Sequence, residues 1–279
     1  MTFSVSSSSP QRESQKDKPS RTTRPLYSAF MSDDFDTAAE WIRDAKAIVV
    51  VTGAGVSAES TIPTFRDAME GLWAEFDPQT LATPEAFAAD PEMVTRWYDM
   101  RRVKCAEAEP NAGHLALADI EKHVSSRGGT MTLLTQNVDG LHTAAGSKNV
   151  VELHGSLRVW RCTKTGQEVT PGPEPFEEFP PMSEAGAPLR PSVVWFGEML
   201  SEGALETAFA ASGSCDLFMS VGTSAVVYPA AGFVELAKRA GARTIEVNKD
   251  QTPTSGIVDL TFRGRSGEIL PELVTRAFG

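Results

Sequence analysis

The sequence predicts an α/β protein: a Rossmann-like, doubly wound parallel sheet carrying a smaller lobe formed by two insertions. Three observations predict it. Continuous apolar, β-branched runs recur along the chain, and the first of them is Ala47–Thr52. Helical patterns alternate with these runs, as expected when a parallel sheet is covered on both faces. A glycine loop, Gly53-Ala54-Gly55, follows the first run directly.

In chain order, the first 30 residues are rich in Ser, Thr and Pro and lack an apolar pattern. Arg12, Lys16, Lys18, Arg21 and Arg24 outnumber Glu13 and Asp17, which leaves the segment basic. Such a composition cannot bury enough apolar surface to order itself, so residues 1–33 are expected to form a disordered tail. Met31 as the true start and a targeting presequence both remain open, the latter without an amphipathic helix or an apolar core to support it. Phe35–Lys46 predicts a helix with Asp34 as N-cap, because Phe35, Ala38, Ala39 and Ile42 share one face. Buried strands are predicted at Ala47–Thr52, Met131–Thr135, Leu217–Val221 and Thr244–Val247, and helices at Gly113–Ser126 and Ala230–Ala240.

Two stretches break the alternation. Residues 70–109 hold Trp73, Phe76, Phe87, Trp97 and Tyr98 in helix-like patterns, and residues 158–191 hold seven of the 18 prolines. Together they are expected to form the smaller lobe of a catalytic domain spanning residues 34–279, whose larger lobe takes about 34–69, 110–157 and 192–279.

Composition narrows the function. A net charge of −11 argues against holding nucleic acid or an anionic membrane through global charge. No run of about 18 apolar residues is present, so no membrane span is expected. Three cysteines cannot supply a four-thiolate zinc site and are too sparse for a disulfide framework. A cytoplasmic monomer is the expectation, or a mitochondrial protein if the tail is a presequence.

Gly53-Ala54-Gly55-Val56-Ser57-Ala58 fits G-x-G-x-x-A, a dinucleotide loop whose small residues let the backbone approach a pyrophosphate. A tight strand-to-helix turn would look the same. An ordinary dehydrogenase would continue into a regular helix and a second strand ending in an acid. Here Pro63 interrupts any helix, and Ser60–Asp67 makes an irregular loop in which Phe65 and Arg66 could serve as lid and phosphate or ribose contact. A surface salt bridge is the plainer reading of Arg66. Gln136, Asn137 and Asp139 follow a predicted strand, at the end where open α/β sheets bind ligands. A lone His154 would ordinarily be structural. Beside a nucleotide loop and the Asn137/Asp139 cluster it becomes the leading general base.

GAGVSAESTIPTFRD at 53–67, TQNVDGLH at 135–142, LHGS at 153–156, VVWFGE at 193–198, GTS at 222–224 and EVN at 246–248 stand in order and spacing that resemble the sirtuins, NAD-dependent protein lysine deacylases. The resemblance covers about residues 35–275. It implies that His154 deprotonates a ribose hydroxyl of NAD, which then attacks an alkylamidate formed with the acyl-lysine substrate. The products would be free lysine, nicotinamide and O-acyl-ADP-ribose. It implies that Asn137 and Gln136 face the ribose, that Ile62 and Asp139 hold the carboxamide, and that Phe65 shields the ribose. Gly222, Thr223, Ser224 and Asn248 would lie on the adenosine side, with Ser266 near adenine.

Val193–Glu198 reads as a strand with a free edge, and the resemblance implies that a substrate peptide pairs there, with Val194 and Trp195 walling an acyl-lysine tunnel and Phe196, Gly197 and Glu198 completing the segment. Tyr98 and Arg101, three apart, share a helix face. A solvated arginine beside a surface aromatic is the plainer reading. Tyr-x-x-Arg at this place resembles the subgroup that removes succinyl, malonyl and glutaryl groups, and Ala58 resembles its widened acyl pocket. The resemblance also meets two departures. Most sirtuins hold a structural zinc on two cysteine pairs, whereas here Cys162 is followed by Thr165 and no second pair exists; no zinc is expected, and Trp160, Phe176, Phe179 and the prolines are expected to pack the lobe instead. Thr61 stands where glycine is usual and would be strained if its φ is positive. An NAD hydrolase or ADP-ribosyltransferase, or a non-catalytic NAD- or acyl-lysine-binding module, are the alternatives.

Overall fold

The computed structural model describes residues 26–62 and 81–279. Pro63, Phe65, Arg66, Trp73 and Phe76 therefore lie outside the described residues. The chain enters through helix α1 (Leu26–Asp44) and strand β1 (Ala47–Thr52). The helix starts earlier than its apolar face predicts, so Asp34 lies inside it and is not its cap. The short α2 (Ala54–Ser57) runs into a 3₁₀ turn at Ala58–Ser60. Then come α3 (Pro84–Ala89), α4 (Pro91–Glu107), α5 (Ala112–Ser126), β2 (Thr130–Thr135) and α6 (Leu141–Ala144). Strands β3 (Val150–Glu152), β4 (Gly155–Cys162), β5 (Glu168–Val169) and β6 (Leu189–Val193) follow. The chain closes with α7 (Glu202–Ser212), β7 (Leu217–Val221), α8 (Phe233–Arg239), β8 (Arg243–Asn248), β9 (Leu260–Arg263) and α9 (Ser266–Phe278).

The larger sheet is parallel and runs β3-β2-β1-β7-β8-β9. From β1 the chain steps to β2 and β3 on one side, then returns to place β7 on the other. The direction of winding therefore reverses between β1 and β7, which opens a crevice at their carboxyl ends. The period-2 alternation of strand side chains builds both faces. Ile48 and Val50 pack with α1, α5 and α9 through Ile42, Leu117, Ile120 and Leu273. Val49 and Val51 pack on the opposite side with Ala208, Phe233, Val234 and Ala237 of α7 and α8. Each fully buried aliphatic contributes about 1.5–3 kcal/mol, so neither face can be exposed without loss of the fold.

The smaller lobe forms around the antiparallel sheet β5-β4-β6. Val94, Trp97, Tyr98 and Cys105 of α4 share one core with Leu157, Trp160, Cys162, Leu189, Val193 and Trp195. Phe176 meets Trp160 edge-on at 4.9 Å and lies 6.3 Å from Phe179, so the aromatic packing expected for this lobe is present. A buried ion pair adds to it. Arg102 donates to Asp99 Oδ1 from Nε at 2.8 Å and Nη2 at 2.6 Å, and reaches the carbonyls of Gly172 and Glu174. Asp99 Oδ2 accepts from Phe176 N–H at 3.0 Å. Both side chains are almost fully buried, at 4% and 3% exposed. Thus one helix turn fastens the proline-rich loop by charge and backbone bonds together. The segment after Val193 departs from the expected strand: β6 ends there, and residues 194–198 form a turn.

Removing one member of a buried pair strands the other, at a cost of about 3–5 kcal/mol. Arg102→Ala is expected to lower the unfolding free energy by that amount in urea titration; a loss under about 1 kcal/mol would contradict the role given to the pair.

Candidate functional site

The crevice is built from loops at the carboxyl ends of β1, β2, β7 and β8. The first loop fits against the third without side chains between them. Gly53 N–H donates to Val221 O at 3.2 Å and Gly55 N–H to Gly222 O at 2.8 Å. A methyl group on Gly53 or Gly55 would stand 2.9 or 2.7 Å from Gly222 O. Gly222 has φ +59°, and a methyl group there would lie 2.5 Å from Val56 N. These glycines are therefore required for the contact between two loops, and the Gly53 and Gly55 amides are already engaged. The loop does not continue into a long helix: α2 is one turn, and its 3₁₀ extension ends at Thr61 in the left-handed region, φ 60° and ψ 14°. A β-branched residue is strained there.

Behind the loop lies a closed polar network. Ser57 Oγ donates to Asp139 Oδ2 at 2.7 Å and accepts from Asn137 Nδ2 at 3.0 Å. Asn137 Nδ2 also donates to Gly53 O at 3.1 Å. His114 Nδ1 accepts from Asn111 N–H at 3.2 Å, so its Nε2 carries the proton that faces Ser57 Oγ at 3.3 Å. Asp139 Oδ1 accepts from Leu141 N–H at 2.9 Å. One level deeper, Thr52 Oγ1 donates to Thr135 Oγ1 at 2.8 Å, which leaves it to accept from His142 Nε2 at 2.9 Å. Thr135 Oγ1 in turn accepts from Asn137 N–H at 3.0 Å. Burial lowers the pKa of both histidines, that of His142 to about 3, and the two rings lie 4.8 Å apart. The cluster thus stays uncharged on its histidine side at neutral pH.

Gln136 Nε2 donates to Thr223 Oγ1 at 3.0 Å, joining the β2 loop to the β7 loop. His154 sits between β3 and β4 with Nδ1 3.1 Å from Gln136 O. A carbonyl only accepts, so Nδ1 carries the proton and Nε2 presents its lone pair. Burial lowers the His154 pKa, against a smaller upward pull from that hydrogen bond, which keeps the ring neutral with Nε2 unprotonated. Asn248 ends β8 with its amide donating to Asp250 O at 2.9 Å. Ser266 opens α9, where Gly267 N–H donates to Glu59 Oε2 at 2.9 Å and so ties the 3₁₀ turn to that helix. Ser224 is half-buried in the β7 loop, while Ala58 is exposed.

The second group of expected residues gathers in the smaller lobe. Tyr98 is buried, 4.5 Å from the Trp97 ring and 6.2 Å from Trp195. Arg101 places its guanidinium 5.1 Å from the Trp97 ring centre. Burial pushes the Tyr98 phenol far up, while the nearby Arg101 charge pulls it down. The free strand edge expected over 193–198 is corrected: Val194 N–H donates to His154 O, Phe196 N–H to Ala82 O, and Glu198 N–H to Trp195 O. Trp195 N–H donates to the Glu198 carboxylate at 2.9 Å. Gly197, at φ +90°, makes the turn possible.

Cys162 is the lone cysteine of its stretch, and its Sγ lies 3.1 Å from Ser183 Oγ. Among the described residues no cluster of three or more His, Cys, Asp or Glu could hold a metal, and no helix is long and apolar enough to cross a membrane.

The sequence reading assigned no role to His114, His142, Asn111, Thr52, Thr135 or Glu59. Asn111-x-x-His114 at a helix start was a capping signal, and His142 lay within the TQNVDGLH motif; their convergence depends on non-local packing.

A parallel sheet with a switch-point crevice, polar loops at its carboxyl edge and a neutral histidine beside them defines a Rossmann-like α/β protein. The Sir2 family profile matches residues 53–229. A Thermus thermophilus protein named NAD-dependent protein deacylase is 49% identical over 82% of this chain and 89% of its own length. The crystal structure of a Sir2 homolog–NAD complex superposes with a TM-score of 0.80 at 45% identity, over 87% of this chain and 93% of that one. A Sir2 structure with a deacetylated p53 peptide and 3′-O-acetyl ADP ribose gives 0.77 at 29% identity, over 86% and 97%. The chain belongs to the Sir2 family.

For a base whose folded pKa is depressed, the unfolded state takes up protons first, so stability is lost as pH falls from the unfolded value near 6.5 toward the folded one near 3. Urea titrations at pH 7 and pH 5 are expected to show this loss, and His142→Gln to reduce it; an equal loss in both proteins would contradict the buried, neutral His142.

Proposed function

We propose that this protein is an NAD-dependent protein lysine deacylase that prefers acidic acyl groups. The observation that carries the reading is His154: its Nδ1 proton is committed to Gln136 O, so Nε2 is left as a base at the edge of the crevice. The names of the relatives support the same activity. The residues suit NAD by their chemistry, since small residues and uncharged donors line the strand ends where a dinucleotide would lie. Ala54, Ser57, Gln136, Asn137, Thr223, Ser224, Asn248 and Ser266 would hold it, with Ile62 and Asp139 toward its carboxamide. Phe65 and Arg66 belong to the same proposal.

NAD, when bound, supplies a ribose carbon from which nicotinamide can leave. The protein's own part is to orient and to move a proton. Asn137 is fixed by Ser57, Gly53 and Thr135, so it can present polar groups without reorganising. His154 takes up a proton at Nε2 from a hydroxyl brought against it. Trp195 and Val194 line the approach of the acyl-lysine, and Tyr98 with Arg101 recognises a terminal carboxylate on the acyl chain. Charge-assisted bonds of this kind contribute about 1.5–3 kcal/mol, roughly ten- to a hundredfold in kcat/KM. The smaller lobe would work without zinc.

Incubation with NAD and succinyl-, malonyl-, glutaryl- and acetyl-lysine peptides, followed by mass spectrometry, tests this. O-acyl-ADP-ribose is expected, with succinyl favoured over acetyl. Arg101→Met should cost at least tenfold on succinyl and little on acetyl, and His154→Tyr should abolish turnover while NAD still binds. Free ADP-ribose without peptide deacylation would identify an NAD hydrolase, NAD binding without any product would identify a binding module, and equal kcat/KM on both peptides would overturn the acyl preference.

A further inference from the structure

Beyond Val193 the chain has no partner strand among the described residues, yet it makes a tight turn with Phe196 45% and Met199 84% exposed. What holds this turn is a pair of charges beneath it. Arg190, on β6 and 8% exposed, donates from Nη1 to Glu198 Oε1 at 2.6 Å and from Nη2 to Oε2 at 2.9 Å. The same Nη2 reaches Val193 O at 3.0 Å, and Glu198 Oε2 also accepts from Trp195 N–H at 2.9 Å. One arginine thus grips the entry and the exit of the turn. Its guanidinium lies 3.2 Å from the centre of the Trp195 ring. That ring is only 2% exposed and faces Phe87 at 5.3 Å and Tyr98 at 6.2 Å. The turn is also fastened to the backbone of His154, whose carbonyl accepts from Val194 N–H at 2.9 Å.

We propose that Arg190 and Glu198 are positioning residues: their forked ion pair clasps the 193–198 turn and sets the Trp195 ring as the wall against which the acyl-lysine substrate seats. The proposal rests on the deacylase reading. Glu198 was expected to meet the substrate directly; its carboxylate is instead occupied by Arg190 and the Trp195 backbone, so it acts through the turn. Although burial works to raise it, hydrogen bonds from Arg190 and Trp195 hold the Glu198 carboxyl below the usual range, which keeps the pair ionised. Lysine cannot replace Arg190, because the fork serves two carboxylate oxygens and the planar cation lies on an indole. A clasp that only supported the fold would affect every kinetic constant together. One that places the wall of the acyl-lysine site should affect the peptide alone.

The test compares the full-length wild type with E198Q and R190K. Peptide KM and kcat are measured at saturating NAD, NAD KM at saturating peptide, and direct binding by anisotropy of a labelled succinyl-lysine peptide. Both variants are expected to raise peptide KM and Kd at least tenfold, with kcat within threefold of wild type and NAD KM unchanged. Peptide constants within twofold of wild type in both variants would overturn the proposal, as would an NAD KM that rises in step with the peptide's. A wild type that binds the peptide without turnover defeats the deacylase reading alone, and the Kd comparison then decides the clasp. A wild type that neither binds nor turns over the peptide overturns both.

Discussion

At the carboxyl edge of the parallel sheet, two loops approach so closely that only hydrogen atoms fit between their α-carbons and the opposing backbone. Gly53 and Gly55 lie against Gly222, and any methyl group would come within 3 Å of a neighbouring main-chain atom. The two loops follow β1 and β7, the strands flanking the reversal of winding. Their contact closes the floor of the crevice and fixes Gly53 O, the acceptor for Asn137 Nδ2. Ser57, one turn further on, is thereby carried to Asp139. The position of the polar network follows from a backbone contact rather than from any one polar side chain.

The network itself trades charge for order. His114 and His142 are held neutral by burial, and the Ser57 and Thr52 hydroxyls each both give and receive. Asp139 keeps its two oxygens bound to Ser57 and Leu141. Asn137 is held by its bonds to Gly53 O and Ser57 Oγ, while the His154 tautomer is set separately by Gln136 O. The smaller lobe solves a related problem by other means. Asp99 and Arg102 fasten the proline-rich loop, and Arg190 and Glu198 fasten the turn beside Trp195. In each pair the arginine also lies over an aromatic ring, Arg102 over Phe176 and Arg190 over Trp195, so charge pairing and ring placement are coupled.

Much of this was legible in the amino-acid order. The apolar runs located β1 and β7 to the residue, because a strand buried on both faces leaves a largely apolar signature. The aromatic packing of Trp160 with Phe176 was legible from a proline-rich stretch that needed another means of holding its shape. The early start of α1 was not, since Ser, Asp and Thr around residue 34 read as a cap whichever way the preceding residues fold. The 193–198 segment misread for a different reason: Val-Val-Trp-Phe has strand composition, but Gly197 and the pairing of Arg190 with Glu198 bend it into a turn. The histidine layer was hidden because His114 and His142 stand 28 positions apart, and only the packing of α5 against the β2 loop joins them. Thr61 was legible as a departure, and its positive φ gives that departure a physical meaning.

The central claim is that the glycine contact between the β1 and β7 loops shapes the dinucleotide site. Calorimetric titration of NAD into wild-type protein and Gly55→Ala tests it most directly, with circular dichroism to establish that the variant is folded. The account predicts at least a tenfold weaker NAD Kd in a folded Gly55→Ala protein. Wild-type affinity in that variant would contradict it.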